Sequence, residues 1–467
     1  MFAVPSGKAT KQLKFKRIDD HKRKIVLSTN FLPLFDFDKG DKVVESSLGK
    51  DKGIRIDRVY DMFDAPMKTK QVYSRSYKTR KNNPLETLME VSSQKLIRES
   101  FPAWCTKVHV VMKKGVVFIT PLTSHKEKAI MNATPESRHE VFAACTSGVD
   151  LHGLEESGFT IHSVIEYRPN EKRDKDRDLT ETGALTVLRN SKQGIKNIFC
   201  EDIMSIDTEQ LIEAVKTSLV TTFIASPQCD DFTNLKTNAA KASSVDDLST
   251  SVDMALDFLR VVDAIKPPVV VFEQVAGWYK SEAYKLLCIR MRRWGYTEHL
   301  TIANALEFGG LPGRTRGYAV FSCLDVPFSF EAPKPRPETS IWNEIEPFLS
   351  QCRDVTHSKS LQDGASCGRL RTITPTSIKA PTILKSQNRM AKDSAILVVD
   401  EKMLWPSEDL QKHLMGIPAD FHVDAVSKDI GSEILGQSID GSLHAMVTRS
   451  VKNHIDSYFH SSASVAA

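Results

Sequence analysis

The chain has 467 residues, 41% apolar and 26% charged, with a formal net charge of +4, the balance of an ordinary globular protein long enough for two or three domains. No run of 18 or more apolar residues occurs, so no helical membrane span is expected. The first thirty residues hold eight Lys or Arg against two Asp and lack the apolar core of a secretory signal, which predicts a cytoplasmic location.

Residues 1–137 read as a separate accessory domain. Basic residues concentrate at 8–24 and at 68–81, where Tyr73 and Tyr77 interleave with Arg75, Lys78, Arg80 and Lys81. Such segments can track phosphates, and a solvated basic face explains either one equally well. Leu32 to Asp41 mixes aromatics, Pro and Gly in a pattern suited to short strands and turns, and further short strands are predicted at 55–60, 72–77, 108–112 and 116–120. Between them 84–101 reads as a helix, with Leu85, Leu88, Val91 and Leu96 on one side. The expected domain is small, mixed and β-rich.

From Glu140 strands and helices alternate, which implies a parallel, doubly wound sheet. A strand at 141–144 leads into Cys145-Thr146-Ser147-Gly148-Val149-Asp150 and a helix through Leu154. A second strand, 160–165, ends at Glu166, and a third ends near Cys200-Glu201-Asp202-Ile203. A close-approach loop after strand one and an acid after strand two suit a nucleotide-type ligand. The fourth strand, 221–226, runs into Pro227-Gln228-Cys229-Asp230-Asp231-Phe232-Thr233, placing Cys229 on a tight loop as the best candidate nucleophile. A lone cysteine is more often a small buried hydrophobe, so order and spacing carry the inference. The apolar run 267–272 ends in Glu273-Gln274-Val275, so a thiol and a carboxylate can emerge side by side at the carboxyl ends of neighbouring strands. Gly309-Gly310-Leu311-Pro312-Gly313-Arg314-Thr315-Arg316 then adds two positive charges before a strand at 318–322.

After Ser322 the alternation stops. Residues 323–402 hold seven prolines, many Ser and Thr, and few sustained apolar periods. Two further pieces follow, His413-Leu414-Met415-Gly416-Ile417-Pro418-Ala419-Asp420-Phe421 and Leu435-Gly436-Gln437-Ser438-Ile439. The eight cysteines form no CxxC pair and no Cys/His cluster, so reduced thiols are expected rather than disulfides or a metal site.

In this order the pieces resemble the cytosine-C5 DNA methyltransferases, in a divergent branch of the kind carried by bacteria and bacteriophages for restriction-modification. The resemblance spans roughly 139–325 and 403–457. It implies a Rossmann-like, mostly parallel core at 138–322 and 403–467 that binds S-adenosyl-L-methionine, interrupted by a target-recognition region at 323–402. It further implies DNA methylation at carbon 5 of cytosine in double-stranded DNA, by a monomer, on a nucleotide flipped out of the stack. Cys229 would attack carbon 6, Glu273 would protonate N3, and Arg314 and Arg316 would orient the ring and lower the thiol's pKa. The implied cofactor residues are Phe142, Ser147, Gly148, Asp150, Glu166, Asp202, Ile203, Pro227, Gln437 and Ser438. Candidate base readers, from side chains able to make bidentate contacts, are Arg369, Arg371, Lys379, Lys385, Gln387, Asn388 and Arg389.

Several positions depart from the family pattern. The cofactor loop is longer and poorer in glycine; Gln228 and Asp230 flank the cysteine where Pro and Gln are usual; Gln274 and Gln437 replace Asn; Pro312 replaces Gln. An adjacent carboxylate raises a thiol pKa unless an arginine compensates. Two other readings therefore stay open: a catalytically degenerate homologue that only binds DNA, and a C5-modifying enzyme acting on RNA or using a modified cofactor.

Overall fold

Seven strands build the sheet that carries the site: β1 (Glu140–Ala144), β2 (Thr160–Ile165), β3 (Asn197–Phe199), β4 (Thr222–Ala225), β5 (Val269–Gln274), β6 (Thr297–Asn304) and β7 (Thr315–Ser322). They lie in the order β3-β2-β1-β4-β5-β7-β6 in this computed structural model. β1 to β5 run parallel, while β7 is inserted antiparallel between β5 and β6. Every residue of β4 and β5 is buried, the continuous apolar signature of a strand covered on both faces. The order reverses between β1 and β4, where an α/β sheet opens a crevice at the strands' carboxyl ends.

Seven helices matter to the site: α1 (Val149–Glu156), α2 (Thr182–Asn190), α3 (Thr208–Lys216), α4 (Met254–Ile265), α5 (Glu282–Trp294), α6 (Lys428–Gln437) and α7 (Gly441–Ala466). One sheet face packs Phe142, Phe223, Phe272 and Phe321 against α3, α4 and α5. The other packs Val141, Ile161, Ile224 and Val271 against α1 and α7. The last helix of the chain thus returns to cover the first strand of the core.

The chain divides into two units, Met1–Ser124 and His125–Ala467, and the structure describes residues 5–19, 21–61, 68–82, 84–171, 174, 175, 177–216, 218–233 and 236–466. Residues 125–137, expected in the accessory domain, pack on the core, where the Asn132 amide donates to the carbonyls of Ile265 and Lys266 at 2.9 and 2.8 Å. The first unit is β-rich, with one six-stranded and one four-stranded antiparallel sheet. The helix expected over 84–101 is instead a strand, Leu85–Val91, followed by a short helix, Gln94–Ser100. Thr87, Met89 and Val91 bury at a period of two, and pairing on both sides with Arg23–Ser28 and Tyr73–Ser76 outweighs the three-residue spacing of Leu85, Leu88 and Val91. Leu32–Phe35, in the stretch expected to hold short strands and turns, is a 3-10 turn.

Residues 323–402 are less irregular than the sequence suggests. Short strands Arg353–Asp354, Arg371–Ile373, Ala395–Val399 and Lys402–Trp405 form a sheet. Ile341, Ile345, Ile373 and Leu397 share one apolar cluster with Leu410, Leu414, Ile434 and Leu435. The inserted region and the returning segment therefore have a common core, and the expected boundary at 402/403 cuts through it.

Candidate active site

A cavity of about 460 Å3 opens at the carboxyl ends of β1, β2, β4 and β5, in the range that holds a small ligand. One end is lined by Cys229, Glu273 and Arg316, and the other by Ser147, Asp150, Glu166, Asp202 and Ile203. Pro227, Gln437 and Ser438 also line it. Residues from the loops after four strands and from the end of α6 thus meet in one space.

Glu273 lies within β5 rather than beyond it, opposite Tyr318 of β7. The antiparallel β7 brings its second residue, Arg316, alongside, with Nε 3.2 Å from Glu273 Oε1. Burial raises the Glu273 carboxyl above its ordinary value, against the downward pull of Arg316 and Arg314. Gly317 keeps this end of the strand open, because a Cβ there would lie 2.1 Å from the Tyr279 ring, whose hydroxyl donates to the Gly317 and Phe272 carbonyls at 2.6 and 3.0 Å.

The Cys229 loop is held from two sides. Gln274 bridges the loops, its Nε2 donating to the Pro227 carbonyl at 2.5 Å and its Oε1 accepting from Val275 N at 2.6 Å. Asp231 is the second anchor. Its carboxylate accepts from Lys236 Nζ (2.6 Å), Ser244 Oγ (3.1 Å), Thr250 Oγ1 (3.0 Å) and Ser251 N (2.8 Å), and this set pulls its pKa well below the usual carboxylate range against the cost of burial. Neither anchor is legible from residue type alone. Gly277 permits the fit, since a Cβ there would sit 2.4 Å from the Phe232 carbonyl oxygen.

The expected lowering of the Cys229 pKa is not what the structure gives. Burial raises the thiol, Asp230 and Glu273 add to that, and Arg316 and Arg314 offset only part. Asp230→Asn is expected to lower the thiol's pKa and to speed alkylation of Cys229 by iodoacetamide at pH 8 roughly two- to fivefold; an unchanged rate–pH profile would refute the assignment of Asp230 as a cause.

At the other end, Cys145 takes a left-handed conformation (φ 56°) and Gly148 another (φ 101°), which curl the loop so that Thr146 N donates to Glu166 Oε2 at 2.7 Å. The Thr146 hydroxyl donates to Asp150 and accepts from Gly148 N. Gly183 makes room for Glu166, whose Oε1 would lie 2.0 Å from a Cβ at that position. Burial raises Glu166 to about 8 and Asp150 to about 6. Thr146, Tyr167 and Gly183 line the cavity and were not singled out by the sequence, although an aromatic directly after the acid was a readable signal for a flat ring.

Three expected site residues lie outside the cavity lining. Phe142 is fully buried among Phe199 and Phe223, and Gly148 packs against Val187. Arg314 is buried, and its Nη2 donates to the carbonyls of Ser438 and Gln437, the latter at 3.3 Å. It clamps the carboxyl end of α6, a position that favours a cation, so its part is to hold two cavity-lining residues in place.

The candidate readers separate in the same way. Arg371 donates to the carbonyls of Asp393 and Thr382, and Gln387, fully buried, exchanges two hydrogen bonds with the backbone of Ala395. Their side chains are committed to holding the fold. Asn388 is half-buried beside Asp429, and Lys385 lines the cavity, with Nζ 2.7 Å from Glu171 Oε1. Arg369, Lys379 and Arg389 are exposed. One trio among the described residues, His152, Glu156 and Asp420, has metal-ligand spacing. Lys192 Nζ lies 3.4 Å from both of its carboxylates, an ion-pair cluster complete without a metal.

Residues 140–340 match the C-5 cytosine-specific DNA methylase family. No curated protein sequence matches the chain. Among solved structures, the Entamoeba histolytica methyltransferase EhMeth superposes with a TM-score of 0.51 at 15% identity, covering 67% of this chain and 98% of its own. A mutant of Spodoptera frugiperda DNMT2 gives 0.51 at 14%, covering 67% and 99%. At such identities the likeness is one of fold, and it leaves a third of the chain without a counterpart.

Proposed function

We propose, because residues 140–340 match the C-5 cytosine-specific DNA methylase family, that the chain transfers a methyl group from S-adenosyl-L-methionine to carbon 5 of a cytosine in double-stranded DNA. The observation that carries this reading is a single cavity with Cys229, Glu273 and Arg316 at one end and a carboxylate-rich cradle at the other. The cradle fits a cationic ligand bearing hydroxyls and an amine. Asp150 Oδ2 is buried without a partner, and Glu166, held near 8, gains by accepting from hydroxyls that stabilise its charged form. Tyr167 and Ile203 offer flat and apolar surfaces for a base. When bound, the cofactor supplies an electrophilic methyl on a sulfonium.

Carbon 5 of cytosine is too weak a nucleophile to take that methyl unaided. Cys229 gives up its proton to solvent and adds as thiolate to carbon 6, forming a C–S bond and pushing electrons toward N3. Glu273, whose carboxyl burial raises above its ordinary value, donates a proton there, while Arg316 holds the carboxyl and the ring's O2. Carbon 5, now enamine-like, takes the methyl. Loss of the carbon-5 proton to a base, departure of the thiolate from carbon 6 and return of the N3 proton to Glu273 then restore the aromatic ring. The target must leave the duplex to reach this pocket.

Incubating the purified chain with labelled S-adenosyl-L-methionine and either mixed-sequence duplex DNA or structured RNA, then identifying the modified nucleoside by mass spectrometry, tests the proposal. The expected product is 5-methylcytosine in DNA. Label found only in RNA, or none in either polymer, would overturn it.

A further inference from the structure

The formal charge of +4 hides a division. Met1–Ser124 holds 25 Lys and Arg against 13 Asp and Glu, a net +12, whereas His125–Ala467 holds 38 against 46, a net −8. Even 323–402 is near neutral, with 11 against 10. A duplex carries one negative charge per about 1.7 Å of its axis, so the unit with the chemistry offers it no net attraction.

The two basic segments of the first unit differ once folded. At 68–81 acids answer Lys70 and Arg80: Lys70 Nζ lies 2.8 Å from Glu45, and Arg80 Nη1 lies 3.1 Å from Glu86 and stacks on Tyr77 at 3.9 Å, while Arg75 faces Glu86 across the ladder. At 8–24 only part of the charge is answered. Lys22 pairs with Asp19 and Lys24 with Glu90, while Arg23 donates to the carbonyls of Cys105 and Pro102 at 2.6 and 2.9 Å. Lys14, Lys16, Arg17 and Lys107 remain exposed, with no ion pair among the described residues.

The strand register then sets like charges against one another. Lys14 lies opposite Lys107, Lys16 opposite Lys24 and Arg17 opposite Arg23. Such pairs destabilise a ladder; Lys24 and Arg23 have partners of their own, so Lys14, Lys107, Lys16 and Arg17 are the charges that a polyanion would stabilise. Exposed Lys8 and Lys113 adjoin the paired Ala9 and Met112 and extend the strip by roughly 20 Å at about 3.3 Å per residue.

The geometry points to a binding site for the phosphate backbone of duplex DNA on this strip, formed by Lys8, Lys14, Lys16, Arg17, Lys107 and Lys113. It supplies sequence-independent affinity that the acidic catalytic unit lacks. The choice of DNA as the polymer rests on the function proposed above.

The test uses the full chain and a labelled duplex of A·T pairs only, which contains no target base. Replacing Lys14, Lys16, Arg17 and Lys107 together by Gln should weaken binding at least tenfold at low salt. The slope of log K against log salt should fall by about 3 to 4, at roughly 0.9 for each phosphate no longer neutralised. Changing Arg75, Lys78 and Lys81 to Gln should move the slope by less than about one such unit. Removing like-charge pairs should hold or raise the melting temperature at low salt, so a folding defect would be visible; in that event Lys14→Gln and Lys107→Gln singly should each lower the slope by about one. An unchanged slope overturns the site, as does displacement by polyglutamate as effective as by duplex, which would make it a surface for acidic protein. A wild-type chain that binds the A·T duplex through the strip yet methylates no cytosine would instead refute the function proposed above.

Discussion

Cys229→Ser is expected to abolish methyl transfer while leaving cofactor and DNA affinity near wild type. The hydroxyl fits the same loop, whose position is set by Gln274 and Asp231 rather than by the thiol. What is lost is the nucleophile: burial with two nearby carboxylates, the features that already raise the thiol, would keep a hydroxyl, intrinsically far less acidic, protonated at any working pH. Losing a covalent nucleophile costs several orders of magnitude, on the order of 10³ or more in turnover. A variant retaining a tenth of wild-type methylation would remove Cys229 from the reaction. The complementary experiment offers DNA bearing 5-fluorocytosine, whose fluorine cannot leave as the carbon-5 proton does. The chain should become covalently attached to it, and peptide mapping should find the adduct at Cys229. Attachment at another of the eight cysteines would move the nucleophile.

The catalytic core was legible because its signals repeat at fixed places. Each motif loop follows a short apolar run, so strand ends and site residues are marked by the same stretch; β2 was bounded as predicted, at 160–165. What the sequence concealed was the use of long polar side chains. Arg314, Arg371 and Gln387 have the chemistry of ligand or base recognition, and each holds backbone carbonyls instead. A guanidinium or amide serves either purpose, and only the fold decides which carbonyls lie within reach. Asp231 shows the converse: a loop aspartate two residues after the cysteine gave no signal, because only the folded loop brings Lys236, Ser244, Thr250 and Ser251 onto its carboxylate. The Cys229 pKa departs from the sequence expectation for a third reason. Neighbouring arginines are visible in the sequence, whereas burial, the larger influence here, is not. In the first unit the period-two burial of Leu85–Val91 lay beneath a plausible helical spacing, and strand partners near residues 26 and 75 settled it.

Glu273→Gln is expected to reduce turnover by roughly 10² to 10⁴, the usual worth of a positioned general acid, with cofactor affinity changed by no more than about threefold. The amide keeps the side chain's shape at the end of β5 but cannot release a proton to N3. The pH dependence carries the sign of the mechanism. Because Glu273 must be protonated to act, and burial raises its pKa above the ordinary carboxylate value, wild-type turnover should fall as pH rises through that pKa, and the variant should lose this limb. A second readout separates loss of the acid from general damage. Glu273 is one of the charges that raises the Cys229 thiol, and its removal leaves the nearby Arg316 with no opposing carboxylate at 3.2 Å. The thiol pKa should therefore fall, and alkylation of Cys229 at pH 8 should quicken even as methylation slows. A distorted loop would slow methylation without that opposite shift in thiol reactivity. A variant in which both rates fall together, or in which methylation is unaffected, would mean that Glu273 supports the strand end rather than protonating the base.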